Sequence, residues 1–159
     1  MNIVLKSKEG HKFEIPQSVA FHSLLVKEMI EPNESNHPNE IHLQSITTNI
    51  LKIIIEFMNY FHANGMSVID TPIQYMTIKQ IVGEWYSDFI NKYNDNIVDI
   101  LHASNYLMID SLIQLSCASI AILLKDKSIE EVREILEIQE DIEEEATLVE
   151  KIYSNRCRH

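Results

Sequence analysis

The sequence predicts an α+β fold: a small three-stranded sheet ringed by helices, with two additional helices beyond residue 125. Three observations predict it. Strand signals are confined to the region before residue 44, where Ile3–Leu5, Phe13–Ile15 and Ile41–Leu43 are short apolar or alternating runs. Helical spacing governs nearly everything after Thr47. Beyond residue 125 come two short amphipathic segments and no further strand signal. A length of 159 residues is one domain's worth.

The elements follow in order. Ile3-Val4-Leu5 and His11-Lys12-Phe13-Glu14-Ile15 form a hairpin through Ser7-Lys8-Glu9-Gly10, with Gly10 free to take positive φ. Pro16 ends the second strand. A helix from about Ser18 to Ile30 follows, with Leu24, Leu25, Met29 and Ile30 turned inward. Glu31–Glu40 is a polar loop holding Pro32 and Pro38, and Ile41-His42-Leu43 is the third strand. Thr47 or Thr48 caps a helix running to about Phe61. Its apolar positions cover more than one stripe, so it is central and buried nearly all round. His62–Gly83 is a weakly patterned but apolar connection, after which Trp85, Phe89 and Ile90 share a helical face. Asn94 or Asp95 caps a helix carrying Ile97, Ile100, Leu101 and Leu107. Asp110 opens another, on which Ile113, Cys117, Ile120 and Leu124 lie in one stripe at i, i+4, i+7 and i+11. Leu112 and Leu115 add a second apolar face, so this helix needs neighbours on both sides. Ser128-Ile129-Glu130-Glu131 is a capping box. It opens a helix with Val132, Ile135, Leu136 and Ile138, and a last helix carries Ala146, Val149, Ile152 and Tyr153.

Composition narrows the function classes. Thirteen Lys and Arg against 24 Asp and Glu leave a net charge of −11. Phosphate repels such a chain, which argues against nucleic acid and against an anionic membrane surface. Three glycines, far apart, leave no Gly-rich phosphate cradle. The longest apolar runs, Ile53–Ile55 and Ile120–Leu124, are far short of a bilayer span. Lys6, Lys8 and Glu9 interrupt any leader-like run at the start. Two cysteines, Cys117 and Cys157, make no disulfide framework, so a reducing cytoplasmic or nuclear compartment is expected.

No catalytic constellation emerges. Seven histidines occur with neither H-x-x-x-H nor H-E-x-x-H spacing, so no metal site is expected. Cys117 sits mid-stripe with no cationic or basic neighbour, and reads as a structural thiol. The carboxylate run Glu143–Glu145 suits a solvated helix start. The residues therefore point to an interaction domain with apolar helices to spare at its C-terminal end, not to an enzyme, and to no cofactor.

Ala103-Ser104-Asn105-Tyr106-Leu107-Met108-Ile109 resembles the A-A-N-Y-L-D-I of the S-phase kinase-associated (Skp) adaptors of SCF ubiquitin ligases. Leu115–Ala121 resembles that family's V-T-C-K-T-V-A, and Lys125–Arg133 its K-G-K-T-P-E-E-I-R. Ile138–Ile142 and the following acidic run resemble I-K-N-D-F and its acidic run. The opening hairpin and the Trp85…Phe89 pair match as well, and the order is kept along nearly the whole chain. Met108 stands where the family has Asp, and Arg156 where it has the closing aromatic, with Tyr153 about one turn earlier. The resemblance implies a BTB/POZ fold with two added helices, and a bridging role. Residues 1–124 would bind a cullin, with 62–84 an insert, and residues 125–159 would complete an F-box site. The F-box surface carried over is Ile97, Leu101, Asn105, Ile113, Cys117, Ile120, Leu136, Ile138 and Tyr153, and the cullin surface is Asn105 and Tyr106. Ile100 and Leu115 are read as plain core. The partners implied are F-box proteins and a cullin. The alternatives are an elongin-C-like adaptor, which ends soon after the N-Y-L helix, or a self-associating BTB domain, with weak homodimers when unpartnered.

Overall fold

The computed structural model describes residues 1–30, 40–70 and 77–136. The chain divides into two compact units, Met1–Lys125 and Asp126–His159.

The first unit opens with strands β1 (Asn2–Lys6) and β2 (Lys12–Pro16), antiparallel in the register Ile3 to Ile15 and Leu5 to Phe13. Gly10 takes φ +90° in the turn, and its N–H donates to the Ser7 carbonyl at 2.9 Å. This left-handed conformation is the one for which glycine carries no Cβ penalty. A third strand, β3 (Glu40–His42), pairs in parallel with β1, Leu5 opposite Ile41, so the sheet order is β2-β1-β3. Parallel pairing needs a crossover, and the helices between β2 and β3 supply one. Ile3, Leu5, Ile15 and Ile41 turn to the core, while Lys6, Lys12 and Glu40 form ion pairs at the other face.

The expected helix over 18–30 is broken in two, α1 (Gln17–Ala20) and α2 (Leu24–Ile30). Buried Ser23 explains the break. Its hydroxyl donates to the Leu107 carbonyl at 2.5 Å and accepts the Val26 N–H at 3.2 Å, which starts α2 afresh. The restart rotates the inward face. Val26 and Ile30 are buried, whereas Leu24 and Met29, expected inside, are exposed.

Helix α3 (Thr48–Asn64) is the central element, with Ile50, Leu51, Ile53, Ile54, Phe57 and Met58 all buried. Each such side chain contributes roughly 1.5–3 kcal/mol over leaving it exposed. Its cap differs from expectation, because neither Thr47 nor Thr48 supplies the side-chain acceptor. The Glu9 carboxylate from the hairpin turn accepts both the Thr48 N–H and the Thr48 hydroxyl, each at 2.7 Å. Those bonds hold the Glu9 carboxyl below its ordinary range. Ser7 donates to the same hydroxyl oxygen at 2.8 Å, locking the hairpin to the helix start.

The 62–83 connection contains structure: α3 continues to Asn64, and α4 (Ile78–Val82) buries Ile78 and Val82. Helix α5 (Glu84–Lys92) is fastened to α3 by aromatic rings. Trp85 stacks on Tyr60 at 3.7 Å and on Phe89 at 5.2 Å, and Phe89 meets Phe57 at 5.8 Å. Tyr86 donates its hydroxyl to the Gly65 carbonyl; burial, with Tyr60 adding to it, pushes its pKa up to about 12. A 3-10 turn (Asn94–Asn96) leads into α6 (Ile97–Leu107), where the expected side-chain cap from Asn94 or Asp95 is not made. Helix α7 (Asp110–Leu124) closes the unit.

The second unit contributes α8 (Ile129–Ile135). Its capping box forms as the sequence predicts: the Ser128 hydroxyl accepts the Glu131 N–H at 3.3 Å, and the Glu131 carboxylate accepts the Ser128 N–H at 2.9 Å. Those bonds hold the Glu131 carboxyl below its ordinary range. The last helix expected from the sequence lies outside the described residues. The small three-stranded sheet among helices is therefore the α+β arrangement the sequence predicts.

Candidate functional site

The corner between α6 and α7 organises the exposed surface. Met108 sits in the left-handed region at φ +53°, which costs a residue with a Cβ roughly 1–2 kcal/mol. The corner is held by the Ile109 N–H donating to the Ser104 carbonyl at 2.9 Å and the Leu24 N–H donating to the Met108 carbonyl at 3.3 Å. Ile97, Ile100, Ala103, Ser104 and Leu107 face inward, which leaves Asp99, His102, Asn105 and Tyr106 exposed on the other side of α6. Asp99, His102 and Tyr106, at i, i+3 and i+7, form one stripe. It borders a cleft of about 230 Å³ whose floor is Ile46, Ile50 and Ala103.

Helix α7 presents a different surface. Leu112, Leu115, Ser116, Ala118 and Ser119 are buried. Gln114, Cys117 and Ala121 are exposed in a line, flanked by half-buried Ile113 and Leu124. The result is a row in which small Cys117 and Ala121 lie between apolar edges, with Gln114 at its N-terminal end tied back to Asp110 at 3.0 Å, a relief that a partner helix can dock against.

The structure also joins two histidines that the sequence separates. His22 Nε2 and His62 Nδ1 are 3.0 Å apart, and the His22 ring meets Phe61 edge-on at 5.0 Å. Burial, and then the neighbouring His62, hold the His22 pKa below its ordinary value of 6.5. A depressed histidine contributes stability that is complete above the unfolded-state pKa and lost as pH falls through it towards the folded-state value. Thermal midpoints taken at pH about 7.5 and about 5.5 should therefore fall further for the wild type than for His22→Gln. Equal falls in both proteins mean that His22 titrates freely. Among the described residues no group of three or more His, Cys, Asp or Glu is placed to hold a metal, and no helix is long and apolar enough to cross a membrane.

The site residues carried over from the resemblance are not all alike. Asn105, Tyr106 and Cys117 are exposed, Leu101, Ile113 and Leu136 are half-buried, and Ile97 and Ile120 are buried. Ile138 and Tyr153 lie outside the described residues. Ile100 and Leu115, read as core, have no exposure. Sequence reasoning passed over Asp99 and His102, although their spacing to Tyr106 was the available signal.

Two segments match models of one family: residues 1–63 the Skp1 family tetramerisation domain, and residues 110–153 the Skp1 family dimerisation domain. Full-length relatives agree. SKP1-like protein 10 of Arabidopsis thaliana is 33% identical over 147 residues, which is 91% of this chain and 90% of the relative. The S-phase kinase-associated protein 1 homolog of Tetrahymena thermophila is 31% identical over 94% of this chain and 90% of its own length. The E3 ubiquitin ligase complex SCF subunit sconC of Emericella nidulans is 31% identical over 87% and 85% respectively. The first matched segment holds the hairpin, the parallel third strand and nearly all of α3, in keeping with a BTB/POZ-like fold. With the sheet, the N-Y-L corner and the capping box all in place along a chain matched nearly end to end, this protein belongs to the Skp1 family.

Proposed function

We propose that this protein is the adaptor subunit of an SCF-type, cullin-RING ubiquitin ligase, bridging the N-terminal repeat of a cullin to F-box substrate receptors. The observation that carries this reading is membership of the Skp1 family over both matched segments, together with a relative named as an SCF subunit. In this reading residues 1–124 engage the cullin through Asn105 and Tyr106. The F-box motif is received by the α7 row around Ile113 and Cys117, with Ile120 buried beneath it in the free chain, and by residues 125–159, including Leu136, Ile138 and Tyr153. The exposure of Asn105, Tyr106 and Cys117 supports it, because side chains that bind partners must be reachable. The role is non-catalytic and needs no cofactor, and the chain works in the cytoplasm and nucleus.

Size-exclusion chromatography with light scattering tests this. The chain mixed with an F-box domain and a cullin N-terminal repeat from its own cell should elute as a 1:1:1 complex. Binding of only one partner, or a homodimer that excludes both, would overturn the bridging role.

A further inference from the structure

The cleft beside Tyr106 has a chemistry that family membership does not assign. We propose that it receives one cationic side chain, Arg or Lys, from the protein that covers Asn105 and Tyr106; this rests on the reading of that protein as a cullin.

The cleft's size decides first. At about 230 Å³ it falls below the roughly 300–1,000 Å³ of small-molecule and cofactor pockets, and suits a single side chain. Its lining decides next. The floor of Ile46, Ile50 and Ala103 is apolar and fits an alkyl stem. At the rim, Asp99 supplies the carboxylate, exposed Tyr106 an aromatic face and His102 a ring nitrogen. A stem on an apolar floor with its head at a carboxylate and a ring is how Arg and Lys are held at protein surfaces. No Lys or Arg lines the cleft, and no ion pair among the described residues engages Asp99. The carboxylate is thus available to a partner's cation. The net charge of −11 also draws a basic surface towards the chain.

The test compares Asp99→Asn, Asp99→Lys and the Asn105→Ala/Tyr106→Ala double variant, each checked for an unchanged thermal midpoint. The probe is the cullin N-terminal repeat from the same cell, with affinity read by calorimetry at low and high salt. Asp99→Asn should weaken binding roughly fivefold and flatten its salt dependence. Asp99→Lys should weaken it about fiftyfold or more, because like charges meet, and an Arg→Glu or Lys→Glu change on the cullin face should restore it. If both Asp99 variants bind like the wild type while the double variant does not, the cleft proposal is overturned and the adaptor reading stands. If the wild type itself does not bind the cullin, both fall together.

Discussion

Cys117→Arg should abolish F-box binding and leave the chain folded. The two halves of this outcome have separate physical causes. Cys117 is exposed on α7, so a longer charged side chain extends into water in the free protein without disturbing Leu112, Leu115 or Ser119 beneath it. When the F-box helix docks, that guanidinium is carried into a seam edged by Ile113 and Leu124, where the one carboxylate of α7, Asp110, lies two turns away and already accepts from Gln114. An uncompensated charge in such a seam costs about 3 kcal/mol or more, a loss of at least about a hundredfold in affinity. Cys117→Ala is the control and should bind within a few-fold of the wild type, because it replaces one small uncharged side chain by another, next to Ala121. Titrating an F-box domain against each variant by calorimetry checks this. A folded Cys117→Arg protein that binds as the wild type does would remove the α7 row from the interface.

The second large effect concerns the other end of the bridge. Asn105→Ala with Tyr106→Ala should cut affinity for the cullin N-terminal repeat by roughly thirtyfold or more, the ~2 kcal/mol that a tyrosine hot spot carries. Stability should barely change. Tyr106 is 42% exposed, and no hydrogen bond from either side chain is made within the described residues. The truncation therefore opens no cavity in the core, where the inward positions of the same helix are Ile100, Ala103, Ser104 and Leu107. Surface substitutions of this kind stay within about 0.5 kcal/mol of the parent. Binding by interferometry together with a thermal melt separates the two quantities. Unchanged binding by a folded double variant would move the cullin surface elsewhere on the chain.

The two variants also part the two interfaces. Cys117→Arg should keep the cullin, and the Asn105/Tyr106 variant should keep the F-box protein wherever Asn105 is peripheral to that contact. A double variant that loses both partners would place Asn105 at the point where they meet, as the family resemblance implies.

What the sequence by itself determined about this protein is its local and periodic structure. The hairpin, with Gly10 at positive φ, follows from turn chemistry confined to four residues. The Ser128–Glu131 box follows from a spacing of three. The separation of Leu115 from Cys117 on α7 follows from the helical period only once a core is known to lie on one side. Family membership was legible for a similar reason, since it rests on short ordered motifs. Tertiary structure alone decided the rest. The 18–30 helix breaks because Ser23 bonds a carbonyl 84 residues away. The α3 cap is Glu9, 39 residues before Thr48, and not a threonine beside it. His22 finds His62 across 40 residues. Asp99, His102 and Tyr106 become a cleft only when the 45–50 segment lies against α6. The physical reason is common to all four. A local pattern reports which way a side chain faces along its own helix or strand. A hydrogen bond or a concave surface needs a second segment, and its position is set by the packing of the whole core.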